Sequence, residues 1–307
     1  GKAEWSSASL PRLARKGKGF AMADVEFTRG PARRPAPVIQ EPFLQWASGL
    51  QTQARSIYAG WLVEAGKLEA LDSAMAEAGF SQVTIKHGSG KVVTHWAIET
   101  ANLFILADGV QIPAELKRTT ERYGIAYGWR TTDTGRQQSV LKARVMLREL
   151  LAVGYTDPLT LSVKSTLTSD ILAALLAQYE VLDAVDAFRK LDGKPPMAPP
   201  LYACYLPIGP GAEVARGSGQ NTKEITPPVA KIPQPITKEY IRAAWCKRDW
   251  IAVIEPLIDP TVLWSVAESQ RIASGAQSEA QPPQSDEWRA IEGASDDRRR
   301  SMNESLL

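Results

Sequence analysis

The chain has 307 residues, 44% of them hydrophobic and 23% charged, with a formal net charge of +2. This is ordinary globular composition: there is apolar material enough for a core, and Cys204 and Cys246 are too few for a disulfide framework. No uninterrupted apolar run is long enough to span a bilayer and the start lacks a signal-peptide core, so the expected setting is soluble, cytoplasmic and reducing.

Residues 1–42 read as a flexible basic arm, because Arg33-Arg34-Pro35-Ala36-Pro37 is held extended by the proline rules and has little to bury. A single core is expected over 43–274. Its first ordered stretch is 43–63, with a strand near 57–63. A helix follows over 67–78, with Leu68, Leu71 and Met75 on one face and Gly79 to stop it. A hairpin comes next, 80–87 and 92–99 flanking Gly88-Ser89-Gly90-Lys91. With those four residues as the loop, His87 opposes Val92. Val83, Ile85, Val92 and Trp96 then share a buried face, and Gln82, Thr84, Lys86 and His95 a polar outer one. Residues 102–107 form a further apolar strand.

The segment 121–147 is the most informative. Over 122–130 a period of two places Tyr123, Ile125, Tyr127 and Trp129 on one face and Arg122, Gly124, Ala126, Gly128 and Arg130 on the other. After a turn at 131–135, Leu141, Ala143, Val145 and Leu147 alternate with Lys142, Arg144 and Met146. This predicts a second strand, with a helix over 140–151 as the alternative. With Arg130 opposite Arg136, the residues Arg122, Arg130, Arg136, Lys142 and Arg144 gather on one face, and a one-residue shift breaks the grouping.

Leu159, Leu161 and Val163 suggest another strand. The strongest helix runs over 168–191, where Ile171, Leu172, Leu175, Leu176, Tyr179 and Leu182 follow the helical period. A strand over 201–208, a long Gly- and Pro-rich loop over 209–235, and two helices over 238–254 and 260–272 complete the core. Residues 275–307 read as a flexible, acidic-leaning tail. The predicted class is α+β: a largely antiparallel sheet of hairpins packed against a long amphipathic helix, with C-terminal helices.

Catalytic signals are sparse. His87 and His95 fall on opposite faces in the register above, and Cys204 and Cys246 lack paired spacing, so no metal site is expected. Gly88-Ser89-Gly90-Lys91 fails as a phosphate loop, with Ile85 at the first required glycine and Val92 at the Ser/Thr position. No nucleophile elbow or nucleophile–base pair emerges. The expectation is a non-enzymatic protein without cofactor that binds nucleic acid, single-stranded and with little sequence preference, and has no membrane partner.

The expected interface is Arg122, Tyr127, Trp129, Arg130, Arg136, Lys142 and Arg144. Its cations neutralise phosphates, Gly124 and Gly128 keep the face low enough for a backbone to approach, and rim aromatics stack bases. Replacing Arg130, Lys142 and Arg144 is then expected to leave folding nearly intact, since exposed charges contribute little. The competing structural reading packs the aromatics under the long helix and makes the cations an ordinary solvated face. Two other functions compete: a structural or assembly subunit of a homo-oligomer or filament, and an enzyme whose site is invisible in sequence.

Overall fold

A computed structural model describes residues 41–51, 57–86, 91–108, 124–132, 135–216 and 222–274, all within one unit, Gln40–Leu307. Residues 1–40 of the expected arm, the expected tail, Arg122, Tyr123, His87 and Gly88-Ser89-Gly90 lie outside the described residues, whereas Glu41 and Pro42, expected in the arm, are bound to the sheet through Arg144 and the Thr160 amide.

Period-two segments become strands almost throughout. β1 (Phe43–Gln51) and β2 (Ile57–Glu64) lead to α1 (Glu69–Glu77), then β3 (Ser81–Lys86), β4 (Val92–Ile98) and β5 (Ala101–Ile105). β6 (Ile125–Thr131) and β7 (Gln137–Leu147) form a hairpin, followed by α2 (Arg148–Ala152), β8 (Leu159–Lys164) and α3 (Thr166–Leu191). The rest is β9 (Leu206–Pro210), β10 (Val214–Arg216), β11 (Lys223–Ile225), β12 (Pro228–Ala230), α4 (Lys238–Ala244), α5 (Arg248–Ile254) and α6 (Ile258–Ala273). The class is α+β, as expected.

Ten strands form one sheet in the order β12-β9-β5-β7-β8-β1-β2-β4-β3, with β6 added on β7; β10 and β11 pair separately. Every pairing is antiparallel except β1 with β8. The main core lies between this sheet and α3, where Leu141, Ala143 and Val145 of β7 belong to one cluster with Ile171 and Leu175. Trp61, fully buried, ties distant parts together: its ring meets Trp46 edge-on at 5.1 Å, and its Nε1 donates to the Ile208 carbonyl at 2.9 Å. Because successive residues of a strand point to opposite sides, the alternate residues of β6 and β7 face away from α3, and there they meet α6.

Several expectations need correction. In the β3–β4 hairpin Lys86, not His87, faces Val92. That one-residue slip exchanges faces on β4. Trp96 joins the α1 side, where its Nε1 donates to Asp72 Oδ1 at 2.6 Å. Ile85 packs instead with Ala47, Leu62 and Ala97, and His95 is buried rather than solvated. The alternative for 140–151 resolves into strand as far as Leu147 and helix from Arg148. The 209–235 loop holds β10, β11 and β12.

The single helix expected over 238–254 is two. Trp245 bridges to Cys204, and the Cys246 amide donates to the Ala203 carbonyl, so this stretch is committed to strand-like bonds. Leu176, placed by periodicity in the apolar stripe, is 37% exposed, whereas Leu175 is 1% exposed. The stretch Arg248–Ala273 is long and apolar enough, by length and composition, to cross a membrane.

Candidate nucleic-acid interface

β6 and β7 pair with Arg130 opposite Gln138 and Ala126 opposite Lys142. The expected partner of Arg130 was Arg136, two residues away. A two-residue shift keeps Arg130, Lys142 and Arg144 together on their predicted face, with Arg122 outside the described residues. Thr132 and Arg136 instead close the turn, the Thr132 amide donating to the Arg136 carbonyl at 2.8 Å.

On the α3 side, Tyr127 is buried in the main core, and burial pushes its phenol above the ordinary range. Tyr127 is therefore a packing residue and not a rim aromatic. Ser139, opposite Trp129, shares a hydrogen bond with Thr168 Oγ1 at 2.8 Å. Trp129, near the turn end of the hairpin, is 40% exposed.

On the other side the expected solvated face is covered. Lys142 Nζ lies 2.6 Å from Glu268 Oε1 of α6, with both side chains nearly fully buried. Glu268 also takes Arg271 of its own helix. Arg144 pairs with Glu41 and donates through Nη1 to Thr261 Oγ1 at 2.9 Å. The second Glu41 oxygen accepts from Thr160 Oγ1 at 2.9 Å. Ser269 Oγ of α6 accepts the Tyr127 amide at 3.3 Å.

The low floor made by glycines is real, but the chain's own backbone and helix use it. A Cβ on Gly128 would stand 3.0 Å from Ile272 Cγ2, and one on Gly124, at φ +91°, 2.6 Å from the Leu106 carbonyl oxygen. Ala126, Val140 and Ile272 form a small apolar cluster over the same floor.

Arg130 remains half-buried at the hairpin end, with Nε and Nη2 on Gln138 Oε1 at 2.9 and 2.7 Å. Arg136 is exposed. Lys164, which sequence reasoning overlooked, sits opposite Val140 on the same face. Its ammonium is pushed down to about 7, by burial first and then by the nearby Arg130 and Lys142. Positive charge is thus crowded along this strip.

No family model, curated protein or solved structure matches the chain.

Other chemistry is limited. Among the described residues no three His, Cys, Asp or Glu side chains gather as metal ligands. Cys204 and Cys246, distant in sequence, are close enough to influence one another; burial pushes their thiols up to about 12 and 11, which makes them poor nucleophiles. Glu149 is also raised by burial, but its carboxylate is occupied by Asn102 Nδ2 at 2.5 Å, a brace between α2 and β5. The signal that sequence reasoning missed lies in α6. Thr261, Ser265, Glu268 and Ser269 form a polar stripe at helical spacing along the helix, and that stripe is buried together with Ile258 and Ile272.

Proposed function

We propose that this is a non-enzymatic, cytoplasmic nucleic-acid-binding protein that takes single strands by charge and stacking, with little sequence preference. The observation that carries the reading is Trp129, 40% exposed at the hairpin end, an end that also carries Arg130 on the other face of the strand and the exposed Arg136 in the turn. An exposed indole and guanidinium groups at one end of a hairpin can stack bases and neutralise phosphates without reading sequence. Lys164, depressed first by burial and then by Arg130 and Lys142, supports it, because an arriving anion relieves the repulsion among the three cations. Free, buried thiols at Cys204 and Cys246 suit a reducing compartment.

The test is fluorescence anisotropy with labelled oligonucleotides of several sequences at low salt. Trp129→Ala is expected to weaken binding by about 1–3 kcal/mol on all of them while leaving Tm unchanged. No binding by the intact protein, or a fall in Tm with unchanged affinity, overturns the reading.

A second reading, assembly of copies of the chain, is favoured by one observation: Leu263 and Val266 of α6 are 74% and 38% exposed, one turn apart. Sizing without nucleic acid decides it, since a single species of monomer mass removes it.

A further inference from the structure

The amphipathicity of α6 is inverted. Its inward side is largely polar, with Thr261, Ser265, Glu268 and Ser269 buried, while Leu263 and Val266 face solvent. Of its apolar side chains only Ile258 and Ile272 are buried. A helix docked in this way forfeits little apolar burial when it leaves, because hydrophobic burial is what ordinarily holds an amphipathic helix down. Between Ile258 and Ile272, each in an apolar cluster at one end of the helix, its hold on the sheet is polar: the buried Lys142–Glu268 pair, the Arg144–Thr261 hydrogen bond and the Tyr127 amide on Ser269. Buried pairs of this kind return little net stability once desolvation is counted.

Beneath the helix the sheet carries Lys142, Arg144 and Lys164, continuous with Arg130 at the hairpin end. Polar capacity there is not used up: Arg144 Nε and Ser162 Oγ are buried with no hydrogen-bond partner among the described residues. We infer that this covered strip is the inner half of the phosphodiester-binding surface, and that α6 is a displaceable cover whose Glu268 carboxylate stands where a backbone phosphate binds. The inference rests on the nucleic-acid reading above and extends it inward. A polyanion brings one charge per nucleotide to the same cations, and it does so without burying Glu268. Displacement turns α6 into a competitor whose strength sets the affinity.

The geometry supplies its own lock. A Cβ on Gly128 would stand 3.5 Å from the Ile272 Cβ, inside the disulfide range. Gly128→Cys with Ile272→Cys therefore fastens α6 to β6 when oxidised and frees it when reduced, with Cys204 and Cys246 buried spectators. Measured with a labelled oligothymidine, the oxidised form is expected to bind about tenfold or more weakly than the reduced form of the same variant, which is the reference because Gly128 lies on the binding face; the factor is within the usual range of coupling between sites. Equal binding by both forms overturns the cover while leaving binding at the hairpin end standing.

The opposite arm is Glu268→Gln, which keeps a hydrogen-bonding side chain but removes the competing charge. It is expected to bind about tenfold more tightly than native. Binding by Glu268→Gln where the native protein has none supports the cover and overturns the exposed hairpin end as the primary site. Unchanged affinity in Glu268→Gln, or no binding by either protein, overturns the inference.

Discussion

Lys142 and Arg144 show how far a residue's pattern reports its place and where it stops. Alternation with Leu141, Ala143 and Val145 correctly assigns both to the face away from the main core. It says nothing of what covers that face, because the cover, α6, arrives more than a hundred residues later. The stability argument then reverses. With Glu268 left buried and holding only Arg271, Lys142→Ala is expected to cost about 3 kcal/mol in urea unfolding, the lower end for a broken buried pair, rather than the near-zero cost of a solvated charge. Replacing both partners, Lys142→Met with Glu268→Leu, is expected to recover most of that loss, as apolar substitutes for buried pairs commonly do.

Lys164 gives a second residue-scale expectation. In the unfolded chain its ammonium keeps its proton to 10.5, whereas in the folded protein it is lost near 7. Between those values the unfolded state binds the extra proton, so stability rises with pH from about 7. Below about 7 both states are protonated and the cost of burying the charge is present in full. Above about 9 the raised thiols of Cys204 and Cys246 oppose the trend, since the unfolded chain ionises first. Melting temperatures across pH 6–9 are expected to climb in the native protein and to stay flat in Lys164→Met.

At the scale of elements, legibility followed the strength of the local period. α3 was plain in the sequence because its apolar residues recur over many turns, yet the width of the buried stripe was not, since that is set by what the helix lies on. Leu175→Ala is expected to cost about 2–5 kcal/mol and Leu176→Ala about 0.5 kcal/mol or less. Equal losses in thermal melts would return Leu176 to the core. The β3–β4 hairpin was recognisable, but its register depended on the loop. A slip of one residue moved Trp96 and His95 to faces opposite those expected. On β6–β7 the register was also misjudged, by two, and the faces survived because two is the strand period. α6 was found as a helix with its orientation hidden: apolar content suggests which side is buried, and here the polar side is.

At the scale of the whole molecule, a net charge of +2 over 307 residues supplies almost no long-range attraction for a polyanion, so binding has to come from local crowding of cations and be read through salt. For single strands each neutralised phosphate contributes about 0.7 to the slope of log affinity against log salt. With α6 in place, Lys142 and Arg144 are occupied by carboxylates and Lys164 is pushed towards neutrality, so none of the three contributes. With α6 displaced Lys142 and Lys164 join Arg130 and Arg136, while Arg144 stays with Glu41, which is not part of α6. The locked Gly128→Cys, Ile272→Cys protein is therefore expected to show a slope shallower by about 1.4 than its reduced form, from Lys142 and Lys164 at about 0.7 each. Reference to the reduced form cancels every cation outside the strip, including those of the undescribed arm. Parallel salt dependences in the two forms would mean that the inner cations never meet the ligand, and that Lys142, Arg144 and Glu268 serve packing alone.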